Sequence, residues 1–125
     1  MAKRLLVVDD DSDTVDCLAH CFRNWGYEVE TAFNGVEAIE VLERIPIDGM
    51  TLGIRMPRMN GYEVIRHIRR TDQKMPVIVV TGCPLALKGD EEEHVYLTNN
   101  VQAIFPKPVS SDELKPAVDR WFGPQ

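Results

Sequence analysis

The sequence predicts a parallel α/β domain, on three observations. Continuous apolar runs, LLVV at 5–8 and VIVV at 77–80, have the character of strands buried on both faces. Between the apolar runs lie segments whose apolar residues recur at helical spacing, several of them opened by capping residues or closed by Gly or Pro. The alternation continues along all 125 residues with short connections. Successive strand–helix–strand units with right-handed crossovers then build one parallel sheet with helices on both faces.

KRLLVV (3–8) is the first strand. Asp11 or Ser12 caps a first helix carrying Val15, Leu18, Ala19 and Phe22, and Gly26 ends it. YEVETA (27–32) alternates as a strand with one exposed side does. Asn34-Gly35 opens a second helix, with Val36, Ile39, Leu42 and Ile45 as its apolar row and Pro46 as its stop. GMTLG is the third strand, and a third helix runs from Gly61 to Thr71 with Val64, Ile65 and Ile68 inward. PVIVVTG (76–82) is the fourth strand. A fourth helix falls within Leu85 to Thr98, with the acidic run from Asp90 to Glu93 near its first turns, where the helix dipole favours negative charge. QAIF (102–105) is a short fifth strand, and Ser110 or Ser111 caps a last helix carrying Leu114, Val118 and Trp121.

Length and composition narrow the possibilities. A chain of 125 residues makes one domain with a real core, so residues 1–125 read as a single unit without a further output domain. The 44% hydrophobic and 27% charged content is that of a soluble globular protein. A net charge of −6 argues against nucleic-acid binding, and the basic subset Arg66, His67, Arg69 and Arg70 reads as a solvated helix face. No apolar stretch approaches the roughly 20 residues of a membrane span. The opening MAKRLLVVDDD is not a signal peptide, and three cysteines outside any CxxC fit a reducing compartment, so the protein is expected in the cytoplasm.

In parallel sheets, ligands and reactive groups collect at the carboxyl ends of the strands. The residues there are Asp9 and Asp10 after the first strand, Gly53 after the third, Thr81 after the fourth, and Lys107-Pro108 after the fifth. Two adjacent carboxylates suit a hard divalent cation such as Mg²⁺. A hydroxyl and a lysine suit an oxyanion, one by hydrogen bonding and the other by neutralising charge. Each residue alone has an ordinary explanation, since Asp pairs, strand threonines and Lys-Pro loops are common. Their joint placement at successive strand ends is what points to a site.

LLVVDDD, IRMPRMNGYEVIRHIR, VIVVTG and PKPVSSDEL follow one another in order. In these motifs the chain resembles, over essentially its full length, the receiver domain of two-component response regulators. The resemblance implies a flavodoxin-like (βα)5 three-layer sandwich with strand order 2-1-3-4-5, and a role in phosphorelay signalling. It also implies a phosphohistidine donor, an acceptor aspartate at the end of the third strand, and Mg²⁺. In the family that metal is held by the acidic pair, the acceptor and a backbone carbonyl two residues on. Carried over, the pair is Asp9 and Asp10, the hydroxyl Thr81, the lysine Lys107 and the carbonyl that of Arg55. The acceptor position is Gly53, and the switch-aromatic position, three residues before the lysine, is Ile104. Phe105 is expected on the opposite face by strand alternation. Implied partners are a histidine kinase, a phosphotransfer protein or an output domain, met through the fourth helix, fifth strand and last helix, with dimerisation through that face left open.

Glycine offers no nucleophile for phosphoryl transfer. Asp48 is ~16 Å back along an extended strand and at odd separation, while Thr51 lies ~6–7 Å deeper and is expected to be buried. Losing a carboxylate is expected to weaken Mg²⁺, to let Lys107 pair with Asp10 or Asp9, and to relieve repulsion in the acidic cluster. The favoured reading is therefore a degenerate receiver, not an enzyme, that serves as a phosphorylation-independent interaction module. The alternatives are an ordinary phosphoacceptor whose nucleophile has been engineered away or replaced by a neighbour, and a flavodoxin-like cofactor binder. The last lacks a Gly-rich phosphate loop, since DDDSDT follows the first strand. Cys17 and Cys21, with His20 beside them, are expected to be buried, inert thiols, Cys83 an accessible one, and His94 a solvated side chain. Of Trp121 and Phe122, one is expected on the sheet and the other exposed.

Overall fold

The computed structural model describes residues 2–72, 74–82 and 91–123. Its elements are β1 (Arg4–Val8), α1 (Ser12–Asn24), β2 (Glu28–Ala32), α2 (Gly35–Arg44), β3 (Gly49–Leu52), α3 (Gly61–Arg69), β4 (Val77–Thr81), α4 (Glu91–Asn100), β5 (Ala103–Pro106) and α5 (Ser111–Phe122). The five strands pair in parallel in the order β2-β1-β3-β4-β5. The flavodoxin-like arrangement is thus the observed one.

Alternation along the strands divides the core in two. Leu6, Val8, Met50, Leu52, Val77 and Val79 face α2, α3 and α4, where Ile39, Val64, Ile65 and Leu97 meet them. Leu5, Val7, Ile78 and Val80 face α1 and α5, against Val15, Phe22, Leu114, Val118 and Phe122. Each such side chain contributes about 1.5–3 kcal/mol by leaving water. Ile104 packs on the first cluster and Phe105 on the second, as their alternation requires.

The caps explain where the helices begin. Asp11 accepts from the Asp13 amide, Asn34 from Glu37 and Ser110 from Glu113, each taking up an amide that the helix leaves without a partner. Asn60 and Glu63 form a reciprocal capping box at α3. At the other end of α1, the chain turns through Gly26 at φ 97°.

Four expectations need correction. The row Val36, Ile39, Leu42, Ile45 is not the inner face of α2. Ala38, Ile39 and Val41 are buried, Val36 and Leu42 are half-buried, and Ile45 lies beyond the helix in extended backbone. A strict three-residue step falls about 60° short of a full turn, so such a row walks off the inner face. Trp121 is not an inward residue of α5: it is 37% exposed beneath the Arg120 guanidinium, while Phe122 completes the inward row with Leu114 and Val118. Cys17 is exposed and Cys21 half-buried, because α1 turns Val15, Leu18, Ala19 and Phe22 inward and Cys17 sits about 100° from Leu18. His20 pairs with Asn24 at 3.0 Å. Finally, the fourth helix reaches Asn100. Cys83 and the Leu85 to Asp90 part of its predicted range lie outside the described residues, as does the His94 side chain.

Arg58 is the one non-glycine residue with positive φ among those described (70°), at the centre of a tight turn closed by the Met59 amide on the Pro57 carbonyl at 2.8 Å. Glycine adopts this conformation without a Cβ penalty. Arg58→Gly is expected to raise stability by about 0.5–1 kcal/mol, read as a higher denaturation midpoint at unchanged slope.

Candidate functional site

The sheet's register brings one residue from each of four strand ends to a single rim. Val8 pairs with Leu52, and Leu52 with Val79, so Asp9, Gly53 and Val80 stand one step beyond in adjacent rows. Backbone bonds carry the ladder past the strands: the Gly53 amide donates to the Val8 carbonyl at 2.9 Å, Asp9 to Ala32 at 3.2 Å, and Lys107 to Thr81 at 2.9 Å. The result is a cleft of about 210 Å³ lined by Asp9, Asp10, Gly53, Ile54, Arg55, Val80, Thr81, Gly82 and Lys107. Ile104 is not among its walls, since it packs into the core on the α2–α4 side.

Within the cleft, the two aspartates differ sharply. Asp9 is only 2% exposed, and both its oxygens are engaged: Oδ2 with the Lys107 ammonium at 2.8 Å, Oδ1 with the Asp11 amide at 3.0 Å. Asp10 is exposed at the mouth. Its carboxyl is pushed above the ordinary carboxylate range, first by desolvation and then by the charge of Asp9 and a hydrogen bond with it. Asp11, outside the cleft, is held below that range by the Thr14 hydroxyl and the Asp13 amide.

The Asp10 shift fixes a sign. A carboxyl raised in the folded state binds more protons there than in the unfolded chain, so its ionisation costs stability as pH rises through the folded value. Asp10→Asn is expected to raise the melting temperature at pH 7. The gain should vanish below the ordinary Asp value of 3.8, where both states are protonated. Thermal melts from pH 3 to 7 check this; a gain independent of pH would contradict it.

Gly53 has ordinary backbone: the positive-φ glycines among the described residues are Gly26 and Gly123. A Cβ built there would lie 2.9 Å from Asp9 Oδ2, 3.3 Å from its Cγ and 3.6 Å from the Val8 carbonyl oxygen. The tight contacts are with the Asp9 carboxylate and not with backbone, so the backbone does not demand glycine, while a Cβ there requires that held carboxylate to shift. The other residues weighed as substitutes are placed elsewhere. Asp48 accepts from the Arg4 amide at 2.8 Å, at the opposite end of the sheet, and Thr51 is 1% exposed within it.

A Mg²⁺ ion needs several hard oxygens in near-octahedral array. The chain offers Asp10, the Arg55 carbonyl, and Asp9 only if it gives up Lys107. Among the described residues no group of three or more His, Cys, Asp or Glu is placed to hold a metal. The chain's own donors therefore do not complete a magnesium site.

Two features escaped sequence reasoning. One is the asymmetry of the Asp pair, which depends on which carboxylate the sheet buries. The other is Gly61, whose amide donates to the Ile54 carbonyl at 2.9 Å and where a Cβ would lie 2.4 Å from the Gly53 carbonyl oxygen. Its signal was a glycine directly after the Asn cap of α3.

Comparison with known proteins agrees with this fold. Response regulator MprA of Mycobacterium ulcerans (strain Agy99) is 36% identical over 114 residues, covering 91% of this chain and 47% of that protein. The chain thus spans about half the length of the curated relatives it matches. Among solved structures, a CheY-like receiver domain protein from Methanospirillum hungatei JF-1 superposes with a TM-score of 0.87 at 28% identity, covering 98% of this chain and 94% of that one. The receiver domain of sensor histidine kinase PA1611 from Pseudomonas aeruginosa PAO1, with magnesium coordinated in its active-site cleft, gives 0.84 at 28% identity over 98% and 99%. Response regulator TrrA from Thermotoga maritima, in complex with Mg²⁺-BeF, gives 0.83 at 30% identity over 95% and 98%. The response regulator receiver domain model matches residues 5–119, and with strand order and relatives in agreement, the chain belongs to that family.

Proposed function

We propose that this receiver domain serves two-component signalling as a phosphorylation-independent interaction module, with Gly53 in the place of the phosphoacceptor aspartate. One observation carries the reading. At the end of β3, in the cleft shared by Asp9, Asp10, Thr81 and Lys107, stands a residue with no side chain in backbone that any residue accepts. Lys107 is correspondingly turned to Asp9 at 2.8 Å, an internal ion pair that needs no phosphoryl group. Thr81 and Lys107 are then remnants of a phosphoryl site. Asp9, Asp10 and the Arg55 carbonyl are remnants of a metal site that binds Mg²⁺ weakly. The switch position is held by Ile104, which carries no ring to reorient.

On this reading the domain is not an enzyme but a cytoplasmic module that acts through protein contacts. Its partner is a histidine kinase, a phosphotransfer protein or an output domain, met at α4-β5-α5, where Val95 and Trp121 are exposed; a dimer through the same face is compatible with it. Among the described residues no helix is long and apolar enough to cross a membrane. The test is intact mass of the native chain after incubation with acetyl phosphate and Mg²⁺. No mass gain is expected, and an added phosphoryl group overturns the reading.

A further inference from the structure

We propose that the cleft between α3 and α4 binds the phosphate group of a small phosphate monoester, on Arg66 and Arg70. The cleft has a volume of about 440 Å³ and is lined by Arg66, Arg69, Arg70, Tyr96 and Asn100. That is within the size range of small-molecule sites. It shares no residue with the cleft at Gly53, and the proposal does not depend on how that position is read. Helical spacing builds it. Arg66 and Arg70 stand four residues apart at the end of α3, and Tyr96 and Asn100 four apart at the end of α4.

The three arginines are used in two ways. Arg69, expected from the sequence on a solvated face, is 6% exposed and is committed to the fold. Its Nε and Nη2 donate to the Asn100 carbonyl at 3.1 and 2.7 Å, and its Nη1 to the Asp72 carbonyl at 3.1 Å. It thereby ties the C-terminal end of α4, where a cation is favoured, to the turn after α3. The Asp72 charge also acts on it. Arg66 and Arg70 have no such duty. Both are exposed, and among the described residues neither side chain forms an ion pair or donates to a helix carbonyl. Arg66 has its guanidinium over the Tyr96 ring, 5.0 Å from the centroid, which holds it at the wall. In a chain of net charge −6, this cleft therefore gathers two cations that no carboxylate neutralises.

Charge and shape select the ligand. A phosphate monoester carries close to two negative charges at pH 7, which Arg66 and Arg70 match. Guanidinium forks bind its oxygens bidentately, and side chains four apart on a helix can converge on one tetrahedral group. Arg69 keeps its carbonyls and Asp72, so binding leaves no charge newly unpaired. A carboxylate would satisfy only one of the two exposed arginines.

The test is titration of the native chain, without divalent cation, with ribose 5-phosphate, AMP, acetate and a phosphoserine peptide, followed by amide chemical shifts and calorimetry. Expected is saturable binding of ribose 5-phosphate and AMP with a dissociation constant of about 1 mM or below. It should perturb the amides of Arg66, Arg70, Tyr96 and Asn100, with acetate about tenfold or more weaker. Arg66→Gln combined with Arg70→Gln is expected to weaken binding about tenfold or more at unchanged melting temperature, since both side chains are exposed. Arg66→Lys with Arg70→Lys keeps the charge and loses the fork, and is expected to weaken it about threefold or more. Absence of saturation, equal binding of acetate, equal binding by either double variant, or shifts centred on Gly53, Thr81 and Lys107 overturns the inference. Tighter binding of the phosphoserine peptide than of both small esters overturns the assignment to a small molecule.

Discussion

Gly53→Asp is expected to gain one phosphoryl group from acetyl phosphate and Mg²⁺ under conditions in which the native chain gains none. The backbone at Gly53 accepts an L-residue, and the tight contacts of the new Cβ are with the Asp9 carboxylate, 2.9 Å from Oδ2 and 3.3 Å from Cγ. Asp9 yields by rotating away, which loosens its contact with Lys107. The introduced carboxylate supplies both a nucleophile and the missing hard ligand, so Mg²⁺ is expected to bind at least about tenfold more tightly than in the native chain. Without metal, the same change crowds a third negative charge beside Asp9 and Asp10. Near a protein surface two charges 4 Å apart interact by up to about 4 kcal/mol, and with Lys107 shared among the three the net cost is expected to be about 1–2 kcal/mol. Mg²⁺ should therefore raise the melting temperature of Gly53→Asp markedly and that of the native chain little.

Gly61→Ala is expected to destabilise the fold by about 3 kcal/mol, close to the upper end of what overpacking usually costs. The added methyl would stand 2.4 Å from the Gly53 carbonyl oxygen, 2.8 Å from Ile54 Cδ1 and 2.9 Å from Ile54 Cα. Two of these contacts are backbone, and the third belongs to a side chain buried in the core, so none gives way freely. Relief requires α3 to move off the end of β3, which also breaks the 2.9 Å bond from the Gly61 amide to the Ile54 carbonyl. Chemical denaturation measures the loss. A change below about 0.5 kcal/mol would show that α3 is free to slide, contrary to the close approach described.

What the sequence made legible was set by local periodicity and by chain order. The five strands, the sites of the caps and the gathering of Asp9, Asp10, Gly53, Thr81 and Lys107 at one rim follow from where apolar runs stop in a parallel sheet. What it hid depends on neighbours far along the chain. Cys17 and Cys21 share one side of a helix in any fold, but which side is buried is decided by the sheet beneath. Trp121 and Phe122 are adjacent aromatics, and only the register of α5 over Gly49, whose Cβ would meet the Phe122 ring at 2.4 Å, selects Phe122. The choice of Asp9 over Asp10 for Lys107 is of the same kind. Asp9 is the residue whose amide continues the β1–β2 ladder, so its side chain is carried under the rim while Asp10 turns outward.

The central claim, that residue 53 is where the acceptor chemistry has been withdrawn, is tested most directly by phosphoryl mapping of two proteins side by side. The native chain and Gly53→Asp are incubated with an autophosphorylated histidine kinase and Mg²⁺, then analysed by intact mass and by peptide mapping before and after hydroxylamine. The predicted result is an unmodified native chain and a single hydroxylamine-labile phosphoryl group on residue 53 of the variant. A phosphoryl group on the native chain, or one on the variant at any other residue, would contradict the account.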